Sequence, residues 1–599
     1  MSETSTNVKN LLKGGEFLVK ESDYKNIFTP EDLNEEQQMI IDTVVSFVDT
    51  EIIPIYDKIE HQEPGVTESL LQKAGELGLL GLAIPEEYGG MGKDFNTNSL
   101  LVEYLAKSRS FSLSLGAHIG IGTLPIVYFG NEQQKSHYLP KLATGELKAC
   151  YCLTEPSSGS DALGAKTTAI LNPEGTHYIV NGQKMWITNS GFADVFIVFC
   201  QIDGDKFSCL ILEKNMDGLT LGAEEKKMGI KGSSTRQVFL ENVKVPKENL
   251  LGEIGKGHLI AFNILNIGRY KLAAGVLGGS KNALEQSVKY ALERQQFKTP
   301  IASFGAIQYK IAEMATRIYA LQSACYRASD MIDNKEKELV AQGKAYQEAI
   351  MLSAEEYAIE CSLLKFIGSE VLDYCVDENV QIHGGMGYSE ELGAAGAYRD
   401  ARINRIFEGT NEINRLLSVD MLLKRAMGGK LDIMSPAMAV QKELMSVPDF
   451  GGDEDTTPLA AEMKAIKNAK KAILMSAGAA VQKLMKQLKN EQEILMNVSD
   501  MLAEVYSMES AVLRTQKLIE LKGEVECAIQ IDMTKIFVSD AMERVNIYGK
   551  HCLQSFAEGD ELRIMLMGLK RFTKYETFNT KDARRRVAAK VLEAGKYNF

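Results

Sequence analysis

The sequence predicts a mainly α-helical fold with a central β domain, and three changes of texture along the chain carry that expectation. Apolar residues recur at helical spacing up to about residue 149, give way to short β-rich runs from about 150 to 250, and return to helical spacing from Ile260. At 599 residues the chain is too long for one core, so about three or four structural units are expected.

Residues 1–35 are polar and mixed, an N-terminal extension with no clear period. From Asn34 to residue 53, apolar side chains at Met39, Ile40, Val44, Val45 and Val48 mark a first helix. Helical stretches continue to about Leu147, broken by a loop at Pro85, Gly89, Gly90 and Gly92, which makes an N-terminal helical domain over 36–149. A central β domain follows over 150–255. In it, residues 178–180 and 185–188 read as two strands joined by a tight primed turn at Asn181-Gly182. Further strands are expected at 195–200, at 207–212 after Asp203-Gly204, and at 237–245 before Pro246.

A second helical domain spans 256–427, with Leu284, Val288, Ala291 and Leu292 on one helix face and Ile311, Met314, Ile318 and Leu321 on the next. A linker over 428–455, marked by Pro436, Pro448 and the run Gly451-Gly452-Asp453-Glu454-Asp455, leads to a separate unit over 456–599. That last unit is rich in Ala, Lys, Leu and Met and is expected to be all helical.

Composition excludes several function classes. A net charge of -13 provides no basic field for a phosphate backbone, so nucleic acid is not expected as a partner. Nine scattered cysteines and seven histidines show no Cys-x-x-Cys or His-x-x-x-His pair, so neither a metal site nor a disulfide framework is expected. P-loop and Rossmann glycine patterns are lacking. No apolar run approaches the roughly 18 residues that cross a bilayer, and Met-Ser-Glu-Thr-Ser-Thr-Asn-Val has no leader character, which places the protein in a bacterial cytoplasm.

One segment stands out chemically. In Arg405-Ile406-Phe407-Glu408-Gly409-Thr410-Asn411 a carboxylate sits between a bulky apolar residue and a glycine, just before a polar helix start. A base so placed is shielded on one side and approachable on the other, which suits proton abstraction from a weakly acidic carbon. A surface glutamate in a loop fits the same residues, and the rest of the chain decides between them.

Other motifs accompany it: residues 151–161, Tyr-Cys-Leu-Thr-Glu-Pro-Ser-Ser-Gly-Ser-Asp; Met185-Trp186-Ile187-Thr188-Asn189; Gly229-Ile230-Lys231-Gly232-Ser233; Gly268-Arg269 with Ala273-Ala274-Gly275; Arg294 with Phe297; and Gln381-Ile382-His383-Gly384-Gly385-Met386-Gly387. Each alone is common, but in this order over about residues 35–425 they resemble the acyl-CoA dehydrogenase flavoprotein family. The added C-terminal helical unit resembles the very-long-chain branch. The resemblance implies a helical domain, a β-barrel-like domain and a four-helix-type domain, with FAD as cofactor.

Residue roles follow from it. Thr154 and Ser160 flank Pro156 and Gly159 in a turn-forming stretch, which serves either as a structural turn or, by resemblance, as a flavin-edge site. Trp186, the only tryptophan, lies two residues before Thr188, so both are expected on one strand face; a lone strand tryptophan is usually core, and by resemblance this one packs by the isoalloxazine with the Thr188 hydroxyl near N5. Arg294, Gln381, Gly384 and Gly385 resemble residues that reach the flavin of a neighbouring subunit, which requires a homodimer or a dimer of dimers. Thr410 or Asn411 caps a helix whose N-terminus suits a pyrophosphate, and Cys152 and Glu412 join the implied cofactor set. The implied substrate set is Ser160, Asn266, Arg269, Phe407 and Gly409, with Arg269 near the CoA and acyl entrance.

The implied reaction is α,β-dehydrogenation of an acyl-CoA to the trans-2-enoyl-CoA, the first step of β-oxidation, with Glu408 as base and an electron-transferring flavoprotein as acceptor. Some relatives carry the base just before Arg269; Gly268 stands there, so Glu408 has no rival. Gly305 departs from relatives with a glutamine after an aromatic, which puts one adenine-side contact in doubt. Gly116, Ala117, Gly120 and Gly122 leave room for a long acyl tail or serve close helix packing. Lys464, Lys467, Lys470 and Lys471 are expected to form a solvated face of a helix packed on the catalytic half, a reading preferred over contact with a membrane surface. The alternatives are an acyl-CoA oxidase and a non-catalytic assembly factor on the same fold.

Overall fold

The computed structural model describes residues 12–444 and 457–599. Its helices bracket a sheet whose strands all lie between Ala149 and Leu251, apart from one short pair at 295–300.

The first helix, Glu35–Phe47, opens on a capping box in which Asn34 and Gln37 satisfy each other's backbone N–H groups. Ile40, Val44 and Val48 face inward, whereas Met39 and Val45 are exposed, because the helix turns an apolar stripe narrower than its apolar content. Residues 12–34, the described part of the extension before it, are no loose polar tail. Phe17 and Leu18 are buried, and the Phe17 ring meets Tyr506 edge-on at 5.0 Å between centroids. The Gly15 N–H donates to Glu360 at 2.7 Å, and Arg514 donates to Glu31 at 2.6 Å.

The strands are β1, Ala149–Cys152, β2, Thr168–Leu171, β3, His177–Thr188, β4, Val195–Ile202, β5, Lys206–Glu213, β6, Leu219–Leu221, β7, Thr235–Pro246, and β8, Leu250–Leu251; in the sheet they run β6-β7-β3-β2-β4-β5-β8, and β1 pairs in parallel with β4. The expected turn at Asn181-Gly182 is not a turn. β3 runs unbroken over His177–Thr188, antiparallel to β7, Thr235–Pro246, and Asn181 bonds Asn242 across a bulge in that ladder. The hairpin lies instead at Asp203-Gly204, both at positive φ, between β4 and β5, Lys206–Glu213. A second bulge falls between Lys184 and Ile187, with Trp186 at φ 61, so strict alternation does not link Trp186 to Thr188.

Helices Gly257–Glu293, Gly305–Ala341, Ala358–His383 and Asn411–Met427 form the second helical region. Leu284, Val288, Ala291 and the four residues of the next expected face are buried, while Leu292 is exposed at the helix end. The stretch expected as linker holds a helix, Met434–Leu444, with Pro436 in its first turn and Val440 buried; Pro448 and residues 451–455 lie outside the described residues.

The C-terminal helices are not a separate unit. They share one continuous apolar core with the second helical region. Polar ties cross the seam as well: Arg327 to Glu509 at 2.8 Å, Arg415 to Asp500 at 2.7 Å and Arg584 to Glu313 at 2.6 Å. The expected lysine face divides: Lys464 is exposed and Lys467 pairs with Glu21 at the surface, as expected, whereas Lys470 is buried on Glu509 and Lys471 pairs with Glu443. Among the described residues one helical stretch, Ser110–Phe129, has bilayer length and apolarity, contrary to the expectation of none, but 78% of its window is buried inside the fold.

Candidate active site

A cavity of about 260 Å³ opens where the Ser110–Phe129 stretch, the end of β3, the Gly257–Glu293 helix and the loop before Asn411–Met427 meet. Thr188, Phe407 and Glu408 line it. Gly116 and Gly120 contribute bare backbone, and a Cβ on either would meet nothing within 4 Å. Gly268 is the opposite case, because a Cβ there would lie 2.6 Å from Oε2 of Glu408. The helix therefore yields at this one position to admit the carboxylate.

Glu408 has φ 57 and Gly409 has φ 81, two consecutive left-handed residues. For the glutamate this conformation costs about 1–2 kcal/mol, and its surroundings hold it. The side-chain amide of Asn414 donates to the carbonyls of Glu408 at 3.3 Å, Gly409 at 2.8 Å and Thr410 at 3.0 Å, while Arg269 Nε donates to the Glu408 carbonyl at 3.4 Å. Its Oε2 is sealed from solvent without a hydrogen-bond partner. Burial pushes the carboxyl up to about 7, against the pull of Arg269 and Lys365. A carboxylate poised there can take a proton near neutral pH.

The remaining expected residues divide into four groups. Thr410 caps the Asn411–Met427 helix, its hydroxyl accepting from the Ile413 N–H at 3.3 Å, and Glu412 is exposed in the first turn. Thr154, half-buried, accepts through its carbonyl from the Met185 N–H at 2.9 Å, which ties the 151–161 segment to the strand bearing Trp186. Ser160 and Trp186 are exposed near that segment's end and the bulge. Cys152 turns its thiol into the β core beside Cys150, so only its main chain can face a ligand.

Arg294, Gln381, Gly384 and Gly385 lie on the surface, outside the cavity. They share one end of the helical region, where Tyr290 stacks on His383 at 4.2 Å. Arg269 and Asn266 are placed differently from expectation. Both are buried, and Arg269 Nη1 donates to Asn266 Oδ1 at 2.6 Å, so this arginine braces the Glu408 loop from behind. The guanidinium that lines the cavity is that of Arg109, paired with Asp400 at 2.6 Å.

Residues 34–146, 150–243 and 255–423 match the N-terminal, middle and C-terminal domains of acyl-CoA dehydrogenases, and 468–571 match a further acyl-CoA dehydrogenase C-terminal domain. A probable acyl-CoA dehydrogenase of Bacillus subtilis (strain 168) is 52% identical over 586 residues, 98% of each chain. The chain belongs to the acyl-CoA dehydrogenase family. The crystal structure of an acyl-CoA dehydrogenase complexed with FAD from Bacillus anthracis is similar to this acyl-CoA dehydrogenase fold at TM-score 0.96 and 51% identity, covering 98% of this chain and 100% of that one. The likeness to the human very long-chain specific mitochondrial enzyme is partial: 39% identity over 398 residues, 65% of this chain and 58% of the human protein.

Members of the acyl-CoA dehydrogenase family are FAD-dependent oxidoreductases. The residues here fit a flavin: a hydroxyl at Thr188 and an orphaned carboxylate at Glu408 border one cavity, and two residues before Thr188 on β3 the Trp186 indole is exposed. Sequence reasoning missed two buried lysines. Lys184 pairs with Glu155 at 2.7 Å, and Glu155 also accepts from the Lys166 and Thr167 N–H groups, so the 155–167 loop is pinned to β3. Lys365 donates to Oδ1 of Asn411, just beyond the Glu408 loop in sequence, at 2.8 Å. Its signal was legible in Leu363-Leu364-Lys365-Phe366, a charge set inside an apolar run.

Proposed function

We propose that this family member removes the α and β hydrogens of long-chain acyl-CoA thioesters, giving trans-2-enoyl-CoA, as the first step of β-oxidation. The observation that carries it is Glu408, an unpaired carboxylate with its proton affinity raised by burial, facing the same cavity as Thr188. Glu408 takes the α-proton. Bound FAD would supply the acceptor for the hydride that leaves the β-carbon. Trp186, Thr188, Thr154 and Ser160 would hold its ring, and Thr410 with the N-terminus of the Asn411–Met427 helix its phosphates.

Removing the α-proton leaves negative charge on the thioester oxygen, which needs donors in a dry site. The Glu408 N–H donates to no protein group among the described residues and is available for it. Phe407 and the apolar walls exclude water and keep the carboxylate basic.

Long-chain preference rests on the shape of the cavity. It follows the Gly257–Glu293 helix from Ile264 to Asn282, on the order of 25 Å at the helical rise, and a short acyl group would leave most of that unfilled. Exposure of Arg294, Gln381, Gly384 and Gly385 away from the cavity supports a homodimer in which they serve a neighbouring flavin. Nine buried, unbridged cysteines suit the reducing bacterial cytoplasm, and electrons pass to an electron-transferring flavoprotein.

Anaerobic bleaching of the flavin by a saturated acyl-CoA series tests the reading. Palmitoyl-CoA is expected to bleach faster than butyryl-CoA. Glu408→Gln should keep the flavin and bind substrate, yet bleach more slowly by about three orders of magnitude. Unchanged bleaching would move the base elsewhere; rapid reoxidation in air would make the protein an oxidase, and purification without flavin an assembly factor.

A further inference from the structure

The hairpin that joins helices Gly257–Glu293 and Gly305–Ala341 is strained in an unusual way. Gln296 pairs with Thr299, so Phe297 and Lys298 form a two-residue turn, and both hold positive φ, 53 and 65. Such a turn ordinarily takes Asn-Gly. Here it instead thrusts the Phe297 ring out to 89% exposure, which costs both backbone strain and apolar hydration. The ring rests edge-on against Phe304 at 6.1 Å, and Phe304 precedes Gly305.

Over Gly305 lies a guanidinium from the far end of the chain. A Cβ at Gly305 would stand 3.0 Å from Arg585 Nη2 of helix Thr580–Ala594. Neighbours of Arg585 on that helix are engaged: Arg584 with Glu313 and Asp540, Arg586 with Asp532. Arg585 is exposed and makes no ion pair or hydrogen bond among the described residues; Asp582, one turn earlier, pairs with Lys581. Arg294 at the hairpin's start is likewise exposed and unpaired. An unpaired guanidinium over Gly305, a second at the start of the hairpin and the projecting ring at its turn together match a diphosphate joined to a purine.

We propose that Arg585 is a binding residue for the adenosine-diphosphate half of FAD, supplied by the C-terminal helices to the surface formed by Arg294 and Phe297. The missing side chain at Gly305 is the condition for its approach, since a Cβ there would stand 3.0 Å from its Nη2. This inference rests on the proposed flavin reading of that surface. It gives the C-terminal helices a share in cofactor binding and not only in packing.

The test is FAD titration of the deflavo-protein, followed by flavin fluorescence, for wild type, Arg294→Ala, Arg585→Ala, Arg585→Lys and Arg586→Ala. Expected are FAD dissociation constants raised about ten- to a hundredfold in Arg294→Ala and Arg585→Ala, less in Arg585→Lys and not in Arg586→Ala, with acyl-CoA affinity unchanged. Because Arg585 bonds nothing, its variants should melt with the wild-type deflavo-protein. A weakened Arg294→Ala beside a normal Arg585→Ala would overturn the inference alone. Normal FAD binding in both would remove the flavin reading of this surface, and loss of acyl-CoA affinity in place of FAD affinity would assign Arg585 to the CoA nucleotide and overturn the proposal.

Discussion

Gly268 and Glu408 are fitted to each other across the cavity wall: a Cβ added to the glycine would approach Oε2 of the glutamate to 2.6 Å. The φ of 57 at Glu408 and the triple amide clamp from Asn414 leave the carboxylate little freedom to retreat. Gly268→Ala should therefore displace the base without removing it. Helix propensity favours alanine by up to about 1 kcal/mol, so stability should hold. Flavin reduction should slow about ten- to a hundredfold while FAD content stays normal, as read by anaerobic stopped-flow.

The pH dependence of that same step follows from the environment of Glu408. Burial raises its carboxyl from 4.5 to about 7, so below about pH 7 the base is protonated and flavin reduction should fall tenfold per unit, with a plateau above. Arg269 and Lys365 favour the ionised form. Lys365→Met removes one of them and should move the profile to higher pH, by up to about one unit. Stability runs the other way, because a raised carboxyl pKa disfavours the folded state once the group ionises. Glu408→Gln should gain about 1–3 kcal/mol above pH 7 and nothing below the ordinary carboxylate range, as urea unfolding at several pH values would show.

Chain length is read at Gly120, where a Cβ would meet nothing within 4 Å and the open space is the cavity itself. Gly120→Leu extends a side chain into that space from a Cβ that meets nothing. The expected result is a kcat/KM for palmitoyl-CoA reduced at least tenfold more than that for butyryl-CoA. Equal losses on both would mean that the tail runs elsewhere.

How much of this was legible in the sequence depends on the range of the interactions. The Thr410 cap and the helical stripes are local and were readable from spacing, whereas the Glu408 segment alone fitted a surface loop as well and only its burial in the fold sets it apart. Asn181-Gly182 misled because a dipeptide favoured in primed turns also serves a bulge opposite another asparagine, and only the partner strand decides which. Arg269 looked like an entrance cation because nothing near it in sequence reveals the Glu408 carbonyl, 139 residues away, that it donates to. The C-terminal helices read as separate because the polar, glycine-rich run before them has the composition of a linker, while the buried pairs that weld them to the catalytic helices are long-range.

Glu509 shows what that welding is worth. It is fully buried and accepts from Arg327 at 2.8 Å on a catalytic-region helix, from Lys470 at 2.5 Å in the C-terminal helices and from Ser22 at 3.3 Å in the N-terminal extension. Three chain segments thus converge on one carboxylate. Burial pushes its carboxyl up, but Lys470 and Arg327 together outweigh burial and hold it below 4.5. Glu509→Ala would strand two buried cations, and the expected loss is about 3–5 kcal/mol in urea unfolding at neutral pH. A carboxyl held low contributes stability that is present above the ordinary carboxylate range and disappears as pH falls through its own lowered value. The difference between wild type and variant should accordingly be full at pH 7 and shrink below about pH 4; a constant difference across that range would mean that packing, not the ion pairs, joins the segments.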